Sequence, residues 1–379
     1  MHATPLKLQQ PMKIVPDDCS AEAYVAQFSA KAARVEALMR QFAPPDPQLY
    51  SSPPIHYRQR AEFRIWHCDD DLFYAMFERG QPRAPIRIEQ FAPASRRINE
   101  LMLALRVELL RVPALRQRLY QVEFLDTLAG EALLTLVYHR QLDPQWEKAA
   151  RELEALLGAR VIGRSRGQRV VISEPHVCER LAVDGVEFVL RQPEGCFTQP
   201  NAQVNRAMLS WARAVCGERQ DDLLELYCGI GNCTIALASR FRTVLATEIN
   251  TSAIATARHN LAANGISNAF VARLSSAEAA AALARERAFF RLREFDLDTL
   301  QPGTLLVDPP RAGLDPRTLD FASGFERIVY VSCNPHTLCD NLKPLQRSHR
   351  IKSLALFDQF PYTEHIECGV LLQRHGTAP

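Results

Sequence analysis

From Asn201 to Gln373 the chain alternates short apolar runs with helical segments. The runs are Leu223–Tyr227, Thr243–Glu248, Ala269–Arg273, Thr304–Asp308, Ile328–Ser332 and Lys352–Phe357. Strand-length apolar runs separated by helices predict a doubly wound, mostly parallel sheet with both faces covered. A last run, Glu367–Gln373, follows residues 358–366 with no helix between, which predicts a final antiparallel strand. In such a sheet the C-terminal ends of the parallel strands share one edge, and ligands bind in the crevice outside it. Chemistry in such a chain is carried by residues at the ends of these runs.

The first half has another rhythm. Ser20–Phe42 repeats Tyr24, Phe28, Val35, Leu38 and Phe42 at helical spacing and stops before Pro44, Pro45 and Pro47. Tyr57–His67 and Leu72–Phe77 flank the turn Asp69–Asp71, and Tyr120–Thr127 and Leu133–Tyr138 flank Ala129-Gly130, so each pair reads as a hairpin. Ser95–Leu110 and Pro144–Leu157 read as helices, and Arg160–Ile162, Val170–Ile172 and Val186–Leu190 as short strands. Together they predict an α+β domain with an antiparallel sheet and a leading helix, over residues 1–195, before an α/β domain over residues 196–379. A chain of 379 residues exceeds one ordinary core.

No apolar run reaches the ~20 residues of a membrane span, and Met1–Pro16 has no apolar stretch of a secretory leader, so the expected location is the cytoplasm. Net charge is only +2, but arginines cluster at Arg58, Arg60 and Arg64 and again at Arg160, Arg164, Arg166 and Arg169. Either genomic base composition or contact with phosphates explains them. The ten cysteines form no C-x-x-C pair and no Cys/His cluster, which argues against zinc or an iron–sulfur centre. Nine of them read as small buried hydrophobes or inert thiols.

Five segments carry chemistry. Leu223–Asn232 runs from a strand through Gly229-x-Gly231 into a helix, with Glu248 at the end of the next strand, where a carboxylate can take both ribose hydroxyls. The loop lacks the Lys and Ser/Thr of a phosphate-binding loop, and Cys233 and Thr234 stand where a dinucleotide fingerprint has its third glycine. An adenosyl group without phosphate, as in S-adenosylmethionine, fits it better than NAD. Asp308-Pro309-Pro310-Arg311 is a rigid turn that aims Asp308 into the crevice. Arg311 in place of an aromatic argues against adenine-N6 methylation, and a turn without cysteine argues against the usual cytosine-C5 arrangement. Cys333 ends a strand, before Asn334-Pro335 opens a helix whose N-terminal field favours thiolate. A thiol there can add to C6 of a uracil and make C5 nucleophilic towards a methyl sulfonium; a base must then remove the C5 proton. Glu367 begins the last strand among Ile366, Cys368 and Val370, where burial would raise its pKa, and Glu364 is its rival three residues earlier. In the run Phe197–Asn201, Gln199 can contact either uracil or cofactor, and Asn201 reads as a helix cap.

The segments "YRQRAEFRIWH", "FTQPN", "LLELYCGIGN", "LATEIN", "VDPPRAGL", "YVSCNP" and "LFDQFPYTEHIECGVLL" resemble the tRNA (uracil-5-)-methyltransferase family, from about Tyr57 to Gln373. The resemblance implies a Rossmann-like class I methyltransferase sheet behind an RNA-binding domain, and formation of ribothymidine in the transfer-RNA T-loop. It puts the nucleophile on Cys333 and the base on Glu367. S-adenosylmethionine contacts fall on Gln199, Tyr227, Gly229, Asn232, Glu248 and Asp308, and RNA contacts on Arg64, Tyr120 and His139. The expected partner is the tRNA T-arm, with tmRNA as a second T-like substrate, and neither a metal, a membrane nor an obligate protein partner is implied. Related subfamilies that act on 23S ribosomal RNA usually carry an N-terminal cysteine cluster; this chain has only Cys19 and Cys68 in its first hundred residues, which favours the transfer-RNA branch. An RNA-folding factor with incidental methylation is the reading from another class.

Overall fold

A computed structural model describes residues 20–78, 80 and 84–376. Met1–Pro16, read above as lacking a leader, and Cys19 lie outside them. Among the described residues, those within 53–179 form one compact unit, and those within 21–52 together with 180–376 form the other.

The first unit is a seven-stranded sheet. Its order is Pro85–Ile88, Asp71–Phe77, Arg60–Cys68, Leu119–Asp126, Ala132–Tyr138, Arg160–Ser165, Gln168–Val171. Neighbours are antiparallel with one exception, which corrects the expected all-antiparallel sheet. Ala132–Tyr138 and Arg160–Ser165 run parallel because the helix Pro144–Leu157 carries the chain back across the sheet between them. That helix is bounded as its sequence dictates. Asp143 accepts a hydrogen bond from Trp146 N (2.8 Å), Pro144 opens the first turn, and Gly158 closes the last at φ 57°. Its buried face, Trp146, Ala149, Ala150, Leu153 and Leu157, shares one core with Ile98, Leu101, Met102, Leu105 and Leu109 of the helix Arg96–Arg111. Each large side chain buried there contributes roughly 1.5–3 kcal/mol.

The second unit holds an eight-stranded sheet. Its order is Gln48–Tyr50, His349–Phe357, Glu367–Arg374, Arg327–Ser332, Pro302–Val307, Asp222–Leu226, Val244–Glu248, Ala269–Arg273. The five strands from Arg327–Ser332 onward in that order are mutually parallel, and Glu367–Arg374 is antiparallel to both its neighbours, as the missing helix before it predicts. Gln48–Tyr50, parallel to His349–Phe357, is an edge strand too short to stand out in the sequence. The strand Val186–Pro193 is held by two asparagine amides instead of a sheet neighbour on that side. Asn260 and Asn264 of the helix Thr251–Ala263 and its cap accept from Arg191 N (2.8 Å) and Val189 N (2.9 Å), and donate back to the same residues' carbonyls.

Two expectations about domains need correction. The leading helix, Ala21–Met39, belongs to the second unit and not to the N-terminal domain, and the first unit ends near Glu179 instead of residue 195. The helix stripe Tyr24, Phe28, Ala32, Val35 and Met39 is buried in the core that also holds Leu338, Cys339 and Leu342 of the helix Pro335–Leu345. Among the described residues no helix is long and apolar enough to cross a membrane.

Gly163 has Trp146 and Leu142 packed where a Cβ would stand. Gly163→Ala should therefore lower the stability of the first unit by about 1–3 kcal/mol, measured as a shift of the urea midpoint with unchanged slope.

Candidate active site

Register brings the predicted groups to one edge. Leu226 pairs with Val307 and Val307 with Tyr330, so Tyr227 and Asp308 leave adjacent strands side by side, at the point where strand order reverses. Ser332 pairs with Cys368 and Phe357 with Glu367, so Cys333 emerges beside the first residue of the last strand. An antiparallel strand thus begins where its parallel neighbours end.

Cys333 lines a cavity of about 370 Å³ together with Arg34, Arg311, Glu364, His365 and Ile366. Burial raises its thiol pKa, and the carboxylates of Glu367 and then Asp308 raise it further, while the Arg311 guanidinium opposes them. The helix behind it is capped as expected, with Asn334 accepting from His336 N at 3.1 Å. The helix end that favours thiolate is thus opposed by two acids and a half-buried position. Glu367 is 7% exposed, and burial first, then Asp308, push its carboxyl up to about 8, with Arg311 pulling the other way. Burial alone pushes Asp308 up to about 7. The rival Glu364 has 84% of its side chain exposed and pairs with Arg34.

The glycine loop has the backbone a close ligand approach needs. Tyr227, Gly229 and Gly231 take φ of 62°, 55° and 87°. Glu248 is locked by three backbone donors: Gly229 N (3.1 Å), Ile249 N (2.7 Å) and Asn250 N (2.8 Å). Asn232 exchanges two hydrogen bonds with Asn205 (2.8 and 3.0 Å). Gln199 accepts from Gln359 Nε2 (3.1 Å), and the buried Oε1 of Gln359 has no hydrogen-bond partner among the described residues. Space lies open before Gly229. A donor set of acids and amides with an orphan acceptor suits a cationic, phosphate-free ligand, so S-adenosylmethionine fits. Asn201 is the helix cap its local sequence implies, accepting from Val204 N at 3.1 Å, and its Nδ2 donates to Gln359 O at 3.4 Å.

In the first unit Arg64, Tyr120 and His139 meet. The Arg64 guanidinium lies 3.6 Å from the Tyr120 ring centroid, and the His139 ring stacks on Tyr120 at 4.1 Å. Two groups so near one centroid cannot share a face, so Tyr120 is the middle of a three-layer stack. It sits where pairing with the neighbouring strand slips between Leu119 and Gln121, a bulge that re-aims its side chain. Tyr120 and His139 line a cavity of about 300 Å³.

Residues 23–375 match the family described as tRNA (Uracil-5-)-methyltransferase. The chain belongs to this family. It is 54% identical over 363 residues to a tRNA/tmRNA (uracil-C(5))-methyltransferase of Chromohalobacter salexigens, covering 94% of this chain and 97% of that protein. A Pseudomonas aeruginosa protein of the same description is 52% identical, covering 93% and 97%. The crystal structure of Pyrococcus abyssi tRNA (uracil-54, C5)-methyltransferase with S-adenosyl-L-homocysteine has the same fold, with a TM-score of 0.70 at 19% identity over 98% of this chain and 87% of that one.

Sequence reasoning missed three site groups. Arg311 was read only as a non-aromatic, yet its charge bears on both Cys333 and Glu367. Gln359 stands inside the run "LFDQFPYTEHIECGVLL" but was given no role. Glu225, in the middle of a strand, is 2% exposed, accepts from Thr234 Oγ1 (2.7 Å), and is pushed to about 8 by burial, with Asp308 adding to the rise. All three stand inside runs quoted above, and Glu225 stands out besides as an acid inside an apolar run.

Because Glu367 raises the Cys333 thiol pKa, Glu367→Gln should lower it. The pH at which alkylation of the Cys333 peptide reaches half its maximal rate, followed by mass spectrometry, should move down in the variant.

Proposed function

We propose that this chain methylates C5 of the T-loop uridine of tRNA with S-adenosylmethionine, and acts on tmRNA through the same T-like arm. The relatives named above carry tRNA and tmRNA in their descriptions, and the Pyrococcus abyssi enzyme is named for uracil-54. The observation that carries the reading is the meeting of a thiol, Cys333, with a buried carboxyl of raised pKa, Glu367, at the ligand edge of a methyltransferase sheet.

S-adenosylmethionine, when bound, supplies an electrophilic methyl group and a positive charge. Gln199, Tyr227, Gly229, Asn232, Glu248 and Asp308 are the residues proposed to hold it. Cys333, its thiol proton passed to solvent, adds through sulfur to uracil C6, and the electron pair moves to C5, which would take the methyl group as the sulfonium carbon–sulfur bond breaks and S-adenosylhomocysteine leaves. Glu367 then removes the C5 proton, the C5–C6 double bond returns, and the sulfur leaves. A carboxyl with a pKa near working pH is suited to accept a proton from carbon. The target base must leave its stack to reach the thiol, at a cost of a few kcal/mol. Residues 53–179 are proposed to bind the RNA arm, with the Arg64–Tyr120–His139 stack offering a cation and aromatic surfaces to phosphate and base.

Glu367→Gln should allow addition and methyl transfer but block elimination. A methylated protein–tRNA adduct that survives denaturing electrophoresis is expected, absent when Cys333→Ala is added. Normal turnover in Glu367→Gln with trapping in Glu364→Gln would move the base to the loop glutamate, and substantial turnover by Cys333→Ala would end the covalent mechanism.

Arg64→Ala should weaken tRNA binding and flatten the dependence of log K on log salt by roughly one unit, read in filter-binding titrations across salt concentrations.

A further inference from the structure

The helix Ala21–Met39 has a polar stripe as well as an apolar one, and the stripe has a single target, the segment 358–366 that ends at Glu367. Lys31 is 3% exposed. Its Nζ donates to Asp358 Oδ1 (2.6 Å), Phe360 O (2.8 Å) and His365 O (3.0 Å), so its three hydrogens join the beginning and the end of the segment. Gln27 donates to Thr363 O (3.2 Å) and accepts from Tyr362 N (3.4 Å). Arg34 donates to Glu364 O (2.7 Å) and pairs with the Glu364 carboxylate. Tyr24 meets Tyr362 edge-on with centroids 6.1 Å apart. Tyr362 has φ 60°, a conformation that a tyrosine keeps only when its surroundings impose it.

Burying an ammonium and a carboxylate together is a weak source of stability, because desolvation offsets most of the attraction. The pair's geometry has a clearer consequence. Asp358 follows the strand His349–Phe357, and Gln359 next to it donates to Gln199 in the proposed cofactor set. His365 lies two residues before Glu367. A segment without helix or strand, nine residues long, would otherwise leave the start of the last strand free to fray.

We propose that Gln27, Lys31 and Arg34 form a clamp that positions Glu367 for proton abstraction, so that this helix acts on catalysis through the segment 358–366. The proposal rests on the reading of Glu367 as the base. The clamp sets the distance between the carboxylate and C5 during elimination; addition by Cys333 and methyl transfer precede that step and do not use it. Lys31, Gln27 and Arg34 are positioning residues in this scheme.

The test uses the full-length protein, an unmodified tRNA transcript and S-adenosylmethionine. Two variants are compared with wild type and Glu367→Gln. Lys31→Met/Asp358→Asn removes both buried charges together, which avoids stranding one of them. Gln27→Ala removes an outer grip that is not part of the Cys333 cavity lining and leaves the buried pair in place. The readouts are the steady-state fraction of enzyme in denaturation-stable adduct and the single-turnover rate of methyl transfer, with thermal melting as the check on folding. Both variants should raise the adduct fraction at least tenfold while methyl transfer stays within threefold of wild type. A wild-type adduct fraction in Gln27→Ala, or in folded Lys31→Met/Asp358→Asn, overturns the clamp. Loss of methyl transfer without rise in adduct overturns it as well, and if the buried-pair variant does not fold, the outer-grip variant decides alone. Failure of the base assignment shows separately, as normal turnover of Glu367→Gln.

Discussion

One strand runs against the grain of the sheet, and the site depends on it. Glu367–Arg374 lies between Arg327–Ser332 and His349–Phe357 and is antiparallel to both. A parallel strand in that position would start at the far edge, and its first residue would be a strand length from Cys333. The antiparallel register sets residue 367 next to residue 333. It also requires the chain to turn back within residues 358–366, and that short return is what the leading helix holds through Lys31, Gln27 and Arg34.

The edge so formed is rich in buried acid. Glu225, Asp308 and Glu367 all sit where burial raises the carboxyl pKa, to about 8, 7 and 8. A raised folded-state pKa means that the folded protein holds protons the unfolded chain has released. The stability these groups allow is present below the ordinary carboxylate range and is lost as pH rises towards 7–8. A site assembled this way is less stable empty at neutral pH than an apolar one would be, and a cationic ligand relieves it. That matches a sulfonium donor, and it explains why the thiol is not primed in isolation: the same acids that suit a cation hold the Cys333 proton in place.

The first unit solves a different problem, presenting polar groups from a sheet whose core face is fully occupied. A slip in strand pairing at Tyr120 turns an aromatic out of the regular alternation, and Arg64 and His139 from the flanking chain segments stack on it. The arrangement leaves the Tyr120 ring half-buried, with a cation on one side and an imidazole on the other, both exposed.

Much of this was legible in local sequence because its causes are local. Asp143, Pro144 and Gly158 bound their helix by backbone chemistry within a few residues. The apolar runs from Leu223 to Gln373 set the sheet's strands, and the absence of a helix after Phe357 set the direction of the last one. Cys333 and Asp308 were legible as strand-end residues, since a parallel sheet gathers such ends on one edge. What tertiary structure alone decided depends on partners distant in the chain. The stripe of the leading helix shows that it buries a face, but only packing against Leu338 and Leu342 assigns it to the second unit. Lys31 reads as a surface residue until Asp358, 327 positions away, accepts from it. The thiol's pKa follows from charges on Glu367, Asp308 and Arg311, which the fold brings together from separate loops and strands. Periodicity and caps act over one turn of helix or one pleat of strand, whereas burial and Coulomb interactions act through space.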